Sequence, residues 1–314
     1  MTRYILSRLG QALLVLWATF TLAFILLQLL PGDAVLIKLQ DPTLGLAADQ
    51  IQQLQQAYGA DAPLLSQYGT ALNELLHGQL GLSLQSGVPV TDLLAENLPP
   101  TLRLALVGLI AAIVVAFVLA SISFLIPFRW LRVALQSLPS LWVSIPAFWL
   151  GTVLIQMFSF QLGWVPIIAP SDLQGLLLPA ITLALPISAP LAQILIRSIE
   201  QVRTQPFIAV AYAKGLPHYR VLWHHILGNA LLPTLTIGGL LFGELLAGAL
   251  VTETVFGRSG LGQLTQEAVN AQDSSVLQAI VILSALAYTV INIFIDILYP
   301  WLDPRLQHQQ GAIS

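Results

Sequence analysis

Few side chains in this 314-residue sequence could do chemistry, and two of them are carboxylates within a long apolar stretch. Glu244 lies midway along that stretch, between Gly243 and Gly248, and Glu253 lies near its end. If the stretch crosses a membrane, an ionisable group there is costly and is by default a functional candidate. We predict that both line a solute pathway. The alternatives are a hydrogen-bonded or protonated Glu244 inside a helix bundle and an interfacial anchor for Glu253.

The remaining reactive residue types do not form an enzyme site. The sequence has no cysteine, and its histidines are His77, His218, His224, His225 and His308. Adjacent residues do not share a helix face, so His224 and His225 cannot chelate together as an i, i+4 pair could. No histidine falls within an apolar stretch to activate a serine, which argues against an intramembrane hydrolase. We therefore predict no metal site, no cofactor and no catalytic residue.

ATP hydrolysis by the P-loop mechanism is also excluded for this chain. No G-x-x-x-x-G-K-[ST] pattern occurs, and the lysines are Lys38 and Lys214. If the chain takes part in an ATP-driven process, a separate subunit must hydrolyse the nucleotide.

The composition indicates a membrane protein. Hydrophobic residues make up 56% of the chain and charged residues 9%, whereas soluble proteins carry roughly 25% charged residues. Crossing a hydrocarbon core takes about 20 apolar residues in a helix. Six spans are predicted, at residues 9–30, 104–126, 140–160, 176–196, 231–250 and 276–295. The first span is too long for a cleaved signal peptide, so we expect a retained anchor helix.

Positive charges set the expected orientation. Short cytoplasmic segments carry an excess of Lys and Arg. With a cytoplasmic N-terminus, that side holds Arg3, Arg8, Arg129, Arg132, Arg197, Arg203, Lys214, Arg220 and Arg305. The other side keeps Lys38, Arg103 and Arg258. Both termini are therefore predicted to be cytoplasmic.

The spans and polar segments suggest four regions. Residues 1–33 form the N-terminal tail and first span, and residues 34–100 form an external loop domain with predicted helices near 49–58 and 64–76. Residues 101–303 form a core of five spans, and residues 304–314 form a cytoplasmic tail. A cytoplasmic loop, residues 198–230, interrupts the core.

That cytoplasmic loop has the pattern of a short, defined helix. Pro206 suits the first turn of a helix, and Gly215 followed by Pro217 predicts a stop and a turn. A second amphipathic segment, residues 219–227, then leads back to the membrane. The loop is either an interfacial hairpin on lipid headgroups or a docking element for a soluble partner.

The motif in this loop resembles the EAA coupling motif of binding-protein-dependent ABC importer permeases. The matching residues are Ala209, Ala211 and Gly215, followed by Asn229 and Pro233, although Ala209 stands where the motif has Glu. Further motifs are similar to the dipeptide, oligopeptide and nickel branch of that family. They lie at residues 31–33, 78–83, 98–102, 178–183, 253–256 and 303–305.

The resemblance implies an all-α polytopic membrane protein with the type I importer permease fold. It implies a bacterial inner-membrane permease that forms a heterodimer with a second permease subunit, with two cytoplasmic ATPase subunits and an external solute-binding protein. The residues implied in ATPase coupling are Ala209, Val210, Ala211, Tyr212, Ala213, Lys214, Gly215 and Leu216. The implied solutes are peptides, nickel or a metal-chelate or opine-type compound. The alternative is a proton-coupled secondary transporter that uses Glu244.

Overall fold

The structure is a computed structural model that describes residues 2–28, 63–166 and 173–302. Its helices are α1 (Thr2–Gln28), α2 (Leu64–Leu76), α3 (Val90–Leu125), α4 (Arg129–Val143), α5 (Ala147–Leu154), α6 (Gln174–Arg203), α7 (Pro206–Ala213), α8 (His218–Val221), α9 (Leu227–Phe256), α10 (Leu261–Asn270) and α11 (Ser274–Leu302). A π-helical segment, Ile155–Gln161, extends α5, and another, Leu222–Ile226, joins α8 to α9. Over these residues the β-structure is one isolated bridge, between Leu82 and Pro89. The predicted all-α fold is confirmed.

Five of the described helices are long and apolar enough to span a membrane. The qualifying segments are Ser7–Gln28, Val90–Leu125, Gln174–Arg203, Ile237–Phe256 and Ser274–Phe294. The pair Arg129–Val143 and Ala147–Gln161 makes a sixth when counted as one broken span. The predicted number of spans therefore agrees with the structure once the broken pair is counted.

The prediction of one helix over residues 140–160 is wrong. α4 ends at Val143, α5 begins at Ala147, and the two helices are bent by 103° at the break. Pro146 lacks an N–H and holds the residue before it out of the α region, so it begins a new helix instead of continuing the old one. α4 has 15 residues, and α5 has 8 residues followed by 7 in its π-helical extension. Each part is at most about 22 Å long, so neither could cross a core of roughly 30 Å alone.

The helix that contains the predicted second span extends beyond that span at its N-terminal end. α3 starts at Val90, ahead of the predicted Leu104. Val90 and Leu94 are buried and occupy one helix face. Asp92 lies in the first turn, where its negative charge interacts favourably with the positive end of the helix dipole and stabilises the helix. These residues extend the helix into the segment that was predicted to be loop.

The chain divides into two compact units, Met1–Pro99 with Ser259–Thr289 and Pro100–Arg258 with Val290–Ser314. In the first unit, the predicted helix at 64–76 is confirmed as α2. The predicted helix at 49–58 and the tail at 304–314 lie outside the described residues.

The second unit has a core in which α3, α6 and α9 approach closely around one side chain. Leu183 of α6 is 2% exposed. A Cβ added at Gly108 of α3 would lie 2.7 Å from its Cδ2, and one at Gly248 of α9 would lie 2.8 Å from its Cδ1. Glycine at both positions therefore allows the leucine to pack directly against the two neighbouring helices.

Candidate functional site

The predicted helix in the loop between the fourth and fifth spans is present as α7. Pro206 occupies its first turn, where a missing N–H has no cost. The helix ends in a Schellman motif, because Gly215 N–H donates to the Tyr212 carbonyl (2.9 Å) and Leu216 N–H donates to the Ala211 carbonyl (3.3 Å). Gly215 has a φ of +81°, a conformation that favours glycine. The turn that stops the helix is therefore specified by the sequence.

One face of α7 is anchored in a hydrophobic cluster. Ile208 is 1% exposed and Ala211 is 4% exposed. They belong to a cluster with Phe124 at the end of α3, Ile199 near the end of α6, and Leu222 in the π-helical segment. A single short helix thus contacts the ends of two spans and the segment that leads into a third.

The opposite face of α7 is uncovered in this chain. Phe207 is 45% exposed and Val210 is 53% exposed, and Ala209, Ala213 and Lys214 are also exposed. Small side chains around two larger apolar ones make a surface suited to insertion into a cleft of another protein. One face of α7 is therefore fixed in the packing of this chain, and the other presents an exposed, largely apolar surface.

The segment after α7 is a continuous helical path into the fifth span. The predicted segment at residues 219–227 is helical, and α8, the π-helical segment and α9 follow one another without an intervening loop. Pro233 lies inside α9. Trp223 contacts Phe117 of α3, with ring centroids 5.5 Å apart, and Tyr212 contacts His218 at 5.1 Å. α7 is therefore joined to α9 by one short turn followed by an uninterrupted helical segment.

Glu244 lies on the uncovered face of α9. Exposed residues recur at intervals of three or four along this helix and form an exposed stripe. The stripe consists of Leu240, Glu244, Ala247, Val251 and Thr254. The opposite face packs into the core through Leu241, Leu245 and Ala249. Glu244 is thus not buried among the helices of this chain, and its carboxylate faces whatever lies against the exposed stripe.

Glu253 does not share this stripe. It is 1% exposed, and its backbone carbonyl accepts a hydrogen bond from Arg258 N–H (2.9 Å). Nine residues separate it from Glu244, which places the two side chains half a turn apart around the helix. The structure therefore does not bring the two predicted pathway carboxylates onto one face.

The histidines do not gather into a metal centre among the described residues, where no group of three metal-ligating side chains occurs. The His224 ring nitrogen Nδ1 lies 3.2 Å from the Arg220 carbonyl oxygen, a contact within one helical turn.

A buried polar contact that sequence analysis missed lies at the start of α11. Asp273 is 1% exposed and accepts hydrogen bonds from Ser83 Oγ (2.6 Å) and from the backbone N–H of Gln85 (3.2 Å) and Val276 (3.3 Å). An aspartate before an apolar run is a recognisable helix N-cap. Its partner in the loop could not be inferred, because the two positions are far apart in the chain.

Comparison with known proteins extends these observations. Residues 108–308 match the family described as the inner membrane component of binding-protein-dependent transport systems. The chain is 34% identical over 316 residues to a putative peptide transport system permease protein of Brucella abortus, covering 98% of this chain and 100% of that protein. It is 32% identical over 309 residues to the glutathione transport system permease protein GsiC of Escherichia coli K12, with the same coverage.

Solved structures support the fold. The inward-facing MetNI methionine ABC transporter matches with a TM-score of 0.58 at 15% identity, over 68% of this chain and 97% of that chain. An amino acid ABC transporter matches with a TM-score of 0.51 at 18% identity, over 68% and 94%. The resemblance in the sequence motifs and the type I importer permease fold are confirmed. The chain therefore belongs to the permease family of inner membrane components of binding-protein-dependent transport systems.

Proposed function

We propose that this chain is one of two membrane-spanning subunits of an ATP-driven importer that takes its solute from an external binding protein. In this proposal residues 101–303 form the transport core and residues 198–230 form its coupling loop. A related permease completes the membrane unit, and two cytoplasmic ATPase subunits supply the energy. This chain supplies a path and a mechanical connection, and it catalyses no reaction itself.

The observation that carries the proposal is the two-faced geometry of α7. Its buried face, through Ile208 and Ala211, packs against the ends of α3 and α6, and its exposed face presents Phe207 and Val210. When ATP closes the ATPase pair, a helix inserted between lobes of an ATPase moves with it. Because interior packing is dense and resists deformation, that motion reaches the spans as a rigid-body shift. Residues 209–216 are the proposed coupling residues.

For the solute, we infer a peptide. The relatives described above are named as peptide and glutathione permeases. A carboxylate at Glu244 on the exposed stripe of α9 would attract the ammonium group of a peptide, and it would equally suit a nickel ion or a cationic metal chelate. Nickel and opine-type solutes are therefore the other solutes to test. Glu253, buried on the opposite face, is assigned to an outer gate.

Site-specific cross-linking tests the coupling proposal, and the absence of native cysteines makes single-cysteine variants straightforward. In native membranes, the cysteine of Val210→Cys is labelled with a photoreactive maleimide. Val269→Cys is the matched control, because this valine of α10 is 56% exposed, close to the 53% of Val210, and is assigned to the external side.

We expect Val210→Cys to form an adduct with an ATPase subunit and to resist a membrane-impermeant maleimide added to spheroplasts. Val269→Cys should react with the impermeant maleimide from outside and should form no adduct with an ATPase subunit. Labelling of Val210→Cys from outside would contradict the orientation, and no ATPase adduct in an otherwise active transporter would contradict the coupling role.

A further inference from the structure

We propose that α2, in the loop after the first span, is an interfacial helix whose apolar face lies in the lipid bilayer. This loop was predicted to be an external polar domain. The contacts of α2 with α1, the distribution of its side chains around the helix, and the exposure of its leucines all point to lipid as its partner.

The contacts fix the depth of α2 along α1. The Gln28 side-chain amide donates to Gln67 Oε1 (2.9 Å) at the end of the first span. Hydroxyl groups of Thr21 and Tyr68 are hydrogen-bonded at 2.9 Å, and Tyr68 packs against Phe20 and Phe24 with ring centroids 5.4 Å apart in both pairs. Thr21 lies about 10 Å from the end of the span, at 1.5 Å per residue. Thus α2 lies beside the last two turns of a membrane-spanning helix.

Side chains are segregated around α2. At 100° per residue, an arc of about 120° contains only apolar residues and one tyrosine. The arc consists of Leu64, Tyr68, Leu72, Leu75, Leu65 and Leu76. The opposite arc carries Ser66, Gln67, Thr70, Asn73 and Glu74. A helix of this kind lies flat in the membrane interface, with its apolar arc inward.

The apolar arc is wider than its contact with α1. Leu65 is 87% exposed, Leu76 is 77% exposed and Leu64 is 61% exposed. Tyr68, near the middle of the arc, packs against α1. The exposed leucines therefore lie to either side of this contact, which is made beside a membrane-spanning helix. Acyl chains are the surroundings that occur at that depth. Tyrosine is also enriched at the boundary between hydrocarbon and headgroups, which is where this arrangement would place Tyr68.

Collision measurements with spin labels test this inference on the assembled transporter in nanodiscs of native lipid. Nitroxide labels at Leu65→Cys and Leu76→Cys probe the exposed leucines, and a label at Thr70→Cys, on the polar arc of the same helix, is the control. Oxygen is concentrated in the acyl region and a nickel chelate in water. We expect a several-fold higher ratio of oxygen to nickel collisions at Leu65 and Leu76 than at Thr70.

Two results would overturn the proposal. Equal ratios at the three positions, with free access for nickel, would place α2 in water. Low collision rates for both probes at Leu65 and Leu76 would mean that a protein covers the leucines. The unmodified chain gives an independent test with lipids that carry a photoreactive group in the acyl chain. We expect lipid adducts on residues 64–76, and their absence while α1 is labelled would also refute the inference.

Discussion

The anchoring of α7 can be tested by removing its largest buried side chain. Ile208→Ala deletes most of a side chain that is 1% exposed within the cluster formed by α3, α6 and the π-helical segment. Such truncations cost about 2–5 kcal/mol. An eight-residue helix is not stable alone, so undocking also unfolds it. At 1.4 kcal/mol per factor of ten, the undocked population should rise roughly 30-fold to several-thousand-fold.

Hydrogen–deuterium exchange of the purified complex measures this change directly. Amides from Val210 to Leu216 should exchange at least about 30-fold faster in Ile208→Ala, in keeping with the lower bound for the truncation. Val269→Ala is the matched control, because that side chain is 56% exposed and lies outside the cluster that holds α7, so its loss should leave exchange of these amides unchanged. Unchanged exchange in Ile208→Ala would refute the conclusion that this side chain holds α7 in place.

Four further variants, one of them a control, test other parts of the structure. Glu244→Gln should slow solute uptake while the complex still elutes intact from size exclusion, and an unchanged uptake rate would remove Glu244 from the pathway. Gly248→Ala places a Cβ 2.8 Å from a Leu183 methyl and should cost about 1–3 kcal/mol, lowering the thermal unfolding midpoint. Gly238→Ala, in the same helix but with 3.7 Å to its nearest contact, should not lower that midpoint, because alanine favours a helix over glycine. Asp273→Asn weakens a buried acceptor by about 1–3 kcal/mol and should accelerate exchange of the Gln85 amide that it binds.

Local signals in the sequence predicted part of the fold correctly. The proline at position 206 and the glycine at position 215 defined α7, since both residues act through their own backbone geometry. The break between α4 and α5 was missed although Pro146 is visible in the sequence. Pro139 lies inside α4 without ending it, so a proline alone does not tell which of two positions interrupts a span.

The pathway role of the two carboxylates stays a prediction, and their arrangement around the helix was predictable only in part. A carboxylate within an apolar run identified Glu244 and Glu253, yet their half-turn separation puts one on the exposed stripe and the other in a buried position. Their spacing of nine residues contained that information. The contact of Ser83 with Asp273 could not be foreseen, because it depends on how distant segments pack.

In the proposed function, nucleotide hydrolysis by partner subunits drives uptake through this chain. Its most direct test is solute uptake by proteoliposomes that contain the purified complex, the binding protein and a labelled peptide. We predict uptake that requires ATP on the side of the coupling loop and that persists when a protonophore collapses the proton gradient. Uptake that follows an imposed proton gradient without nucleotide would contradict the proposed ATP-driven import and support the proton-coupled alternative through Glu244.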